Sequence, residues 1–287
     1  AAWLARVPLR LHTVAGLPLM ETTGLKRMLL NFVEKTTYRF ATRVYPNSIG
    51  LKQIILNEGF AKESELKILG RGSSNGIDTS YFNPDKFSED YKKEFREKVK
   101  ITSDAIVFIF IGRLVSEKGI NELVAAFQQL YAEDSSVRLL LVGPFETELD
   151  PLKPSTMETI KAHSAIISVG YQQDVRPFLS IADVLAFPSY REGFPNVVMQ
   201  AGAMNLGSIV TDINGCNEII ITDKNGLIIP PKDEQALFKA METLTLNREL
   251  RTKFQRKSRQ MICENYDRKE FWNCLLDEYR NLEQSLR

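Results

Sequence analysis

The chain has 287 residues, 44% of them hydrophobic and 25% charged, with a formal net charge of +1. This composition is typical of a soluble globular protein of about two domains. A near-neutral chain without a nucleic-acid-binding motif disfavours a nucleic-acid partner, and no apolar run reaches the roughly 18 residues of a membrane-spanning helix. The start lacks an initiating Met and a charged leader, so we expect no secretory signal and a chain that is part of a longer one.

The histidines and cysteines are too few and too widely spaced for a metal centre. His12 and His163 are the only histidines, and no Asp-x-Asp pair occurs. Cys216, Cys263 and Cys274 are odd in number and show no paired spacing, which predicts reduced thiols in a cytosolic protein. We therefore expect no metal site and no histidine-based catalytic centre.

Residues 1–70 are predicted to alternate helices with strands. After a first short helix, the pattern predicts a strand at 9–14, an amphipathic helix at 24–42, a strand at 43–45, a helix at 49–57 and a strand at 65–69. The Gly- and Ser-rich segment 70–76 is the best candidate for a linker. We therefore predict domains at 1–74 and 75–265, followed by a C-terminal helix, 266–287.

Basic residues are concentrated in residues 1–52, which carry eight Lys or Arg against two Glu, a balance of +6, whereas the rest of the chain has a balance of −5. Within the segment 26–43, apolar residues alternate irregularly with five basic residues, which are Lys26, Arg27, Lys35, Arg39 and Arg43. Such a helix either docks on an anionic membrane surface or a phosphate-rich acceptor, or presents a solvated basic face over an apolar core. The sequence leaves both interpretations open.

From residue 105 onward, strands alternate with helices. Residues 105–111 form a continuous apolar run, which is typical of a strand buried on both faces of a parallel sheet. Further strands are predicted at 137–142, 165–169, 184–187, 208–211 and 226–229, and helices at 85–100, 120–131, 155–163, 176–182 and over 233–287. The alternation predicts an α/β fold with a doubly wound parallel sheet.

The stretch from Asp183 to Gln200 reads as strand, polar turn and helix. Arg191 and Glu192 lie in the turn, and Pro195 stands where a first helical turn would start. In an open α/β sheet such a turn lies at the carboxyl end of a strand, where ligands bind. Glu192 there either caps the helix electrostatically or faces the groups around an anionic ligand, and the spacing does not decide between the two.

A second polar loop follows the strand 105–111. Arg113 and Lys118 lie five residues apart, flanked by Gly112 and Gly119. Glycines let backbone approach a ligand closely, while Arg offers a planar fork and Lys a point charge, so together they suit a diphosphate. Alternatively, both cations pair with Glu117 or with surface carboxylates. The chain contains no P-loop motif, and no G-x-G-x-x-G follows a strand, which disfavours an NAD site.

Several short motifs follow one another in a characteristic order: Asn75-Gly76-Ile77-Asp78, Gly112-Arg113-Leu114, Glu117-Lys118-Gly119, Gly170-Tyr171, Glu192-Gly193-Phe194-Pro195-Asn196 and Asn225-Gly226. In this order the chain resembles retaining glycosyltransferases of family four, which have the GT-B fold of two Rossmann-like domains around a nucleotide-sugar cleft. The similarity spans most of residues 45–235. It is strongest to bacterial transferases that build capsular, O-antigen or lipid-linked oligosaccharides.

The resemblance implies roles for individual residues. Arg113 and Lys118 match the pair that neutralises the donor diphosphate, and Glu192 matches the first Glu of the E-x₇-E motif, near the donor sugar and leaving phosphate. These three residues would be catalytic. The loop Gly170-Tyr171-Gln172 would face the nucleobase. The other donor-binding residues would be Gly112, Val175, Gly193, Phe194, Pro195, Asn196 and Gln200. Members of this family need no essential metal or cofactor.

The sequence departs from the family pattern in its N-terminal domain and at Gln200. The second Glu of E-x₇-E, which usually binds the ribose hydroxyls, is Gln200 here, and we expect weaker nucleotide contact because charge-assisted hydrogen bonds are about twice as strong as neutral ones. The Gly-rich loop that opens the N-terminal domain has no match, so we expect this domain to be incomplete. Ala15 stands where an acceptor-side His is often found.

The resemblance leads us to expect a GT-B enzyme that moves a sugar, with retention, from a nucleotide-diphosphate donor to an acceptor hydroxyl. A UDP-sugar donor, a glycan or lipid-linked acceptor and a site at the cytoplasmic membrane face are expected, with the C-terminal helix packing back on the first domain. The alternatives are a domain that binds nucleotide-sugar without turnover and a GT-B nucleotide-sugar epimerase. The epimerase is disfavoured because no extra acid–base carboxylates or histidines are evident.

Overall fold

The computed structural model describes residues 1–17, 22–146 and 148–286. We refer to residues 1–74 as the N-terminal region and to the rest as the C-terminal region. In the N-terminal region a small parallel sheet pairs β1 (Leu11–Val14) with β2 (Arg43–Pro46), linked by α1 (Gly24–Phe40) and followed by α2 (Ile49–Asn57). These elements confirm the predicted strands and helices between residues 9 and 57, with ends that differ by a few residues.

Two predictions for the N-terminal region are wrong. The expected first helix is a series of turns that includes the left-handed residue Arg6, with φ of 56°. The expected strand at 65–69 is reduced to a single bridge between Leu66 and Val44, and Glu63–Glu65 form a short 3-10 helix. The Glu65 carboxylate accepts a hydrogen bond from the Lys62 amide at 2.7 Å, so local capping competes with strand pairing there.

Over the described residues, the C-terminal region is built on a six-stranded parallel sheet with the strand order β5-β4-β3-β6-β7-β8. Its strands are β3 (Ile106–Ile111), β4 (Val137–Val142), β5 (Ile166–Ser168), β6 (Val184–Phe187), β7 (Gly207–Thr211) and β8 (Gly226–Ile229). Its helices are α3 (Glu89–Lys98), α4 (Ile120–Glu133), α5 (Pro154–Ala162), α6 (Arg176–Ser180), α7 (Asn196–Ala203), α8 (Cys216–Ile219), α9 (Glu234–Leu246), α10 (Arg248–Tyr266) and α11 (Arg268–Gln284). The predicted doubly wound α/β fold is confirmed.

The apolar strands explain why this sheet forms the core. In β3, Val107, Phe108, Ile109 and Phe110 are completely buried, as expected for a strand covered by helices on both faces. The order of connection reverses between β3 and β6, whose pairing aligns Phe108 with Val184. In a doubly wound sheet, ligands bind at such a reversal, outside the carboxyl ends of the strands.

Side-chain caps set the boundaries that periodicity alone misplaced. The charged helix predicted at 85–100 begins only at Glu89, because the Ser88 hydroxyl accepts the Tyr91 amide. The helical tail is divided into α9, α10 and α11 by Asn247 and Asp267, which cap the helices that follow them. Helix α8 was not among the predicted helices. No helix in the described part of the chain combines the length and apolarity that crossing a bilayer requires.

Helix α11 contacts the N-terminal region through a buried carboxylate. Glu278 is 5% exposed, accepts a hydrogen bond from the Tyr45 hydroxyl at 3.1 Å and forms an ion pair with Lys67. Phe271 packs beside it against Tyr45 and Leu69. The domain boundaries given above stay a prediction.

The close approach of two strand ends yields a test of the fold. A Cβ at Gly143, where φ is +148°, would lie 1.8 Å from the Gly112 carbonyl oxygen, whereas a Cβ at Gly170, with φ of +67°, would meet no heavy atom within 4 Å. We expect Gly143→Ala to lower the free energy of unfolding by about 3 kcal/mol or more. The control Gly170→Ala carries only the left-handed backbone cost of about 1–2 kcal/mol. Urea denaturation of the two variants checks this, and equal losses would contradict the predicted packing.

Candidate functional site

Two predicted segments lie side by side at the reversal of the sheet. One is the loop that contains Arg113 and Lys118, here called the cationic loop. The other is the turn that contains Arg191 and Glu192, here called the acidic turn. The loop after β3 and the turn after β6 meet where Gly119 packs on Pro188. A Cβ at Gly119, where φ is +70°, would lie 2.1 Å from the Pro188 carbonyl oxygen. Glycine is therefore required for the two segments to approach this closely.

An ion pair between Lys118 and Glu192 joins these two segments. The Lys118 Nζ donates to Glu192 Oε1 at 2.5 Å, and the two side chains are 16% and 17% exposed. Glu192 was predicted either to cap α7 or to face a ligand site. In the structure its carboxylate forms an ion pair with Lys118. The carboxylate therefore lies within the candidate site, beside a cation that could bind an anion.

Arg113 lies in the same loop and is paired with carboxylates. Its guanidinium donates to Glu146 at 2.5 Å and to Glu117 at 2.8 Å, and Arg191 donates to the other Glu117 oxygen at 2.8 Å. The hydrogen bond to Glu146 raises the pKa of Arg113 above its ordinary value despite partial burial. The alternative that Arg113 pairs with Glu117 is thus observed, while Lys118 pairs with Glu192 instead.

The Glu117 carboxylate is kept ionised by its neighbours. Burial by itself would raise its pKa, but the hydrogen bond from Arg191 and the charges of Arg191, Lys118 and Arg113 together hold the pKa below the ordinary value. Its backbone is also fixed, because the Glu117 amide donates to Asp150 at 2.6 Å. The cluster therefore remains an array of paired charges at neutral pH.

The start of α7 contributes backbone amides to the site. Pro195 is the N-cap residue and makes no side-chain cap, while Phe194 is buried against Tyr266 with ring centroids 5.5 Å apart. No acceptor for the amides of Gly193 and Phe194 is found among the described residues. Free amides near a helix N-terminus favour anions. Asn196, the first residue of α7, is exposed.

The residues predicted to contact the nucleotide lie on separate elements. Tyr171 is 73% exposed, Gln172 donates to the Val169 carbonyl at 2.8 Å, and Val175 is the N-cap residue of α6. Gly170 accepts the Gly143 amide at 2.9 Å, which ties this loop to β4. Gln200 lies on α7, and its partly exposed side chain makes no hydrogen bond within the described residues. The roles of all these residues stay predictions.

The N-terminal region contacts the acidic turn directly. A Cβ at Gly193 would lie 1.7 Å from the Ala15 carbonyl oxygen and 3.5 Å from the Asn47 side-chain nitrogen. Ala15, which replaces the expected acceptor-side His, therefore lies at the candidate site. Residues distant in sequence therefore meet at this side of the candidate site.

Sequence reasoning missed a second contact between the two regions. The Ser48 hydroxyl donates to Asn214 at 2.8 Å, and the Glu218 carboxylate accepts the amides of Ile49 and Gly50 at 2.8 and 3.1 Å. Ser48 before a predicted helix is a recognisable cap signal. Its partner Asn214 lies 166 residues away, and no local pattern links them.

Two buried titratable groups of the C-terminal region are structural. Burial raises the pKa of the Cys216 thiol well above its ordinary value, and the nearby Glu192 charge adds to the shift, so the thiol is a poor nucleophile. Burial also raises the pKa of Asp183, which accepts the Val107 amide at 2.8 Å. Asp183 precedes β6 and therefore lies at the edge of the sheet opposite the site.

Within the described residues, no group of three or more His, Cys, Asp or Glu could hold a metal ion.

The fold and the site define an α/β protein with a cluster of paired charges at the carboxyl ends of a parallel sheet. Residues 91–261, more than half of the chain, match the family described as Glycosyl transferases group 1. The chain belongs to this glycosyltransferase family, as the resemblance in the sequence predicted.

Similar proteins act in the synthesis of bacterial surface polysaccharides. The chain is 30% identical over 97% of its length to the capsular polysaccharide biosynthesis glycosyltransferase CapM of Staphylococcus aureus, and spans 72% of that protein. It is 26% identical over 85% of its length to the UDP-Gal:alpha-D-GlcNAc-diphosphoundecaprenol alpha-1,3-galactosyltransferase of Escherichia coli, and spans 62% of it. The alignments thus cover only part of each relative.

Solved structures show the same fold. Anabaena Alr3699/HepE in complex with UDP superposes with a TM-score of 0.85 at 18% identity, over 98% of this chain and 74% of that one. Sucrose-phosphate synthase of Thermosynechococcus elongatus gives a TM-score of 0.81 at 22% identity, over 99% of this chain and 71% of that one. The expected GT-B fold is confirmed, and the N-terminal region is reduced relative to it.

The Lys118–Glu192 pair can be tested through stability. Either Lys118→Met or Glu192→Gln leaves its partner's charge poorly exposed and unpaired, so we expect each to lower the free energy of unfolding by about 1–3 kcal/mol. The double variant should lose less than the sum of the single losses, giving a coupling of about 1 kcal/mol or more. Urea denaturation of the four proteins measures this coupling. Additive losses would show that the pair does not form in solution.

Proposed function

We propose that this protein transfers a sugar from a UDP-sugar to an acceptor hydroxyl with retention of configuration. The observation that carries the proposal is the Lys118–Glu192 ion pair at the reversal of the sheet, followed directly in the chain by the amides of Gly193 and Phe194, which have no acceptor among the described residues. Cations and oriented amides stabilise the charge that develops on a departing diphosphate. Similarity to HepE, whose structure contains UDP, and to a galactosyltransferase named for UDP-Gal supports the choice of donor.

The diphosphate would bind by exchange of ionic partners. Arg113 and Lys118 each already contact a carboxylate, and a diphosphate offers more negative charge and several acceptor oxygens to both cations. When Lys118 turns to the diphosphate, Glu192 is released to face the donor sugar. Arg113 is a planar two-pronged donor on the partly exposed side of the loop, which suits it to bind phosphate oxygens.

UDP binding provides the first test of this function. At a concentration about tenfold above its Kd, UDP should raise the melting temperature by about 2–3 °C. Arg113→Ala should raise the Kd for UDP about tenfold or more, because a charged hydrogen-bonding partner is lost. Arg256→Ala, on an exposed part of α10, is the matched control and should leave the Kd unchanged. Calorimetric titration gives the Kd values. No stabilisation by UDP or GDP would refute the proposal.

The nucleotide contact at Gln200 is tested separately. We expect Gln200→Glu to bind UDP about fivefold more tightly, because the introduced carboxylate would accept charge-assisted hydrogen bonds from the ribose hydroxyls. The gain should disappear with 2′,3′-dideoxy-UDP, which lacks both hydroxyls. Calorimetric titration of the two ligands against the two proteins decides this. An equal gain with both ligands, or no gain with UDP, would contradict a ribose contact.

We also propose that the acceptor is a glycan carried by a membrane lipid and that α1 docks on the membrane. Two relatives are named for diphosphoundecaprenol-linked substrates. One face of α1 exposes large apolar side chains at Leu25, Met28, Leu29, Phe32 and Val33. Lys26, Lys35 and Arg39 are exposed on the same helix. An apolar face bordered by cations suits the interface of an anionic bilayer at the cytoplasmic side.

Vesicle binding tests the membrane contact. The protein should bind vesicles containing phosphatidylglycerol and bind purely phosphatidylcholine vesicles much more weakly, because the cations face anionic headgroups. The double variant Leu29→Ser/Phe32→Ser should weaken binding about tenfold or more, since it removes apolar area from the interface. Leu246→Ser, at an exposed leucine of α9, is the control. Sedimentation with the vesicles gives the bound fraction. Binding that ignores α1 or lipid charge would contradict the proposal.

A further inference from the structure

Asn214 links the N-terminal region to the backbone of the acidic turn. Its Oδ1 accepts a hydrogen bond from the Ser48 hydroxyl at 2.8 Å, and its Nδ2 donates to the carbonyl oxygens of Gly193 and Glu192 at 2.6 and 3.3 Å. We propose that Asn214, oriented by Ser48, is a positioning residue that holds the amides of Gly193 and Phe194 in the direction needed to bind the donor diphosphate. This inference rests on the proposed function.

The hydrogen bonds at both ends of the Asn214 amide fix which way it points. The Ser48 hydroxyl oxygen already accepts the Leu51 amide at 3.0 Å, and its proton is directed to Asn214. The two carbonyl groups can only accept, so they require the NH₂ end of Asn214. Donor and acceptor requirements therefore agree on one orientation, and Ser48 stabilises that orientation from the other side of the cleft.

Holding the two carbonyl groups also orients two amides. In a planar trans peptide the C=O and N–H vectors point in opposite directions. With the carbonyls of Glu192 and Gly193 turned toward Asn214, the N–H groups of Gly193 and Phe194 point away from it. No acceptor for these amides is found among the described residues. Two successive amides directed the same way form a concave site for an anionic oxygen.

Close packing around Asn214 restricts the conformation of the acidic turn. A Cβ at Gly215 would lie 2.4 Å from the Gly193 carbonyl oxygen and 2.8 Å from Phe194 Cα. On the other side of the link, a Cβ at Gly50 would lie 2.2 Å from Asn214 Oδ1. Gly215 is therefore in direct contact with the acidic turn, and the Asn214 side chain is in direct contact with the start of α2, so a change at this side chain is transmitted to the turn.

The test separates the second phosphate from the rest of the nucleotide. Kd values for uridine, UMP and UDP are measured by titration for the wild type, Asn214→Asp, Ser48→Ala and Ser48→Thr. In Asn214→Asp, a carboxylate replaces the NH₂ donor and faces two carbonyl oxygens, so the turn should reorient. We expect the ratio of the UMP and UDP dissociation constants to fall about tenfold, with the uridine affinity unchanged. Ser48→Ala should lower the ratio about threefold, and Ser48→Thr, which keeps the hydroxyl, should restore it.

The outcomes are distinct. A wild type that binds no nucleotide, whether the uridine or the guanosine series is used, would overturn both the function and this inference. A wild type that prefers UDP over UMP, with the same preference in Asn214→Asp and Ser48→Ala, would retain the function and overturn the inference. A uniform loss of affinity for all three ligands would indicate a merely structural role and would also overturn it. If Asn214→Asp does not fold, the contrast between Ser48→Ala and Ser48→Thr decides the question.

Discussion

The meeting of the loop after β3 with the turn after β6 is the constraint on which the site depends. Parallel pairing of the two strands brings their carboxyl ends together. Because Gly119 has no side chain, the loop can pack closely against the Pro188 carbonyl group. The result is a 2.5 Å contact between Lys118 and Glu192 in a partly buried place. Each charge needs a partner there, because an unpaired charge shielded from water is costly. The buried apolar strands thus determine where the charges can meet. In the proposed function, a diphosphate would compete with carboxylates for cations that are already paired.

Elements whose burial is encoded locally were predictable from the sequence. The strands at 137–142, 184–187 and 226–229 were predicted with the bounds that the structure has. Short apolar runs between turn residues are typical of buried strands, so the sequence indicates both ends of each strand. The segment 65–69 has a similar pattern, but its pairing depends on neighbours that the pattern does not include, and Glu65 forms a local cap instead. Helix α8 is four residues long, which is too short for periodicity to reveal.

The positions of these charged residues in the fold were predictable from the sequence, whereas their ionic partners were not. Arg113, Lys118 and Glu192 could be selected because they follow buried strands, where ligands bind in such sheets. That Arg113 pairs with Glu146 depends on a contact across 33 residues, and the same holds for the choice of Lys118 as the partner of Glu192 across 74 residues. Charges of opposite sign are numerous in this chain, so spacing alone cannot select among them.

The contacts between the two regions include favourable and unfavourable terms. The Ser48–Asn214 hydrogen bond and the capping of α2 by Glu218 stabilise the contact. Against them, Asn47 Oδ1 is buried without a partner among the described residues, a loss of about 1–3 kcal/mol relative to a hydrated oxygen. The Ser48–Asn214 hydrogen bond is the contact that reaches the site, because the same Asn214 amide also donates to the carbonyl oxygens of Glu192 and Gly193. The contact between the two regions and the direction of the Gly193 and Phe194 amides are therefore linked through one side chain.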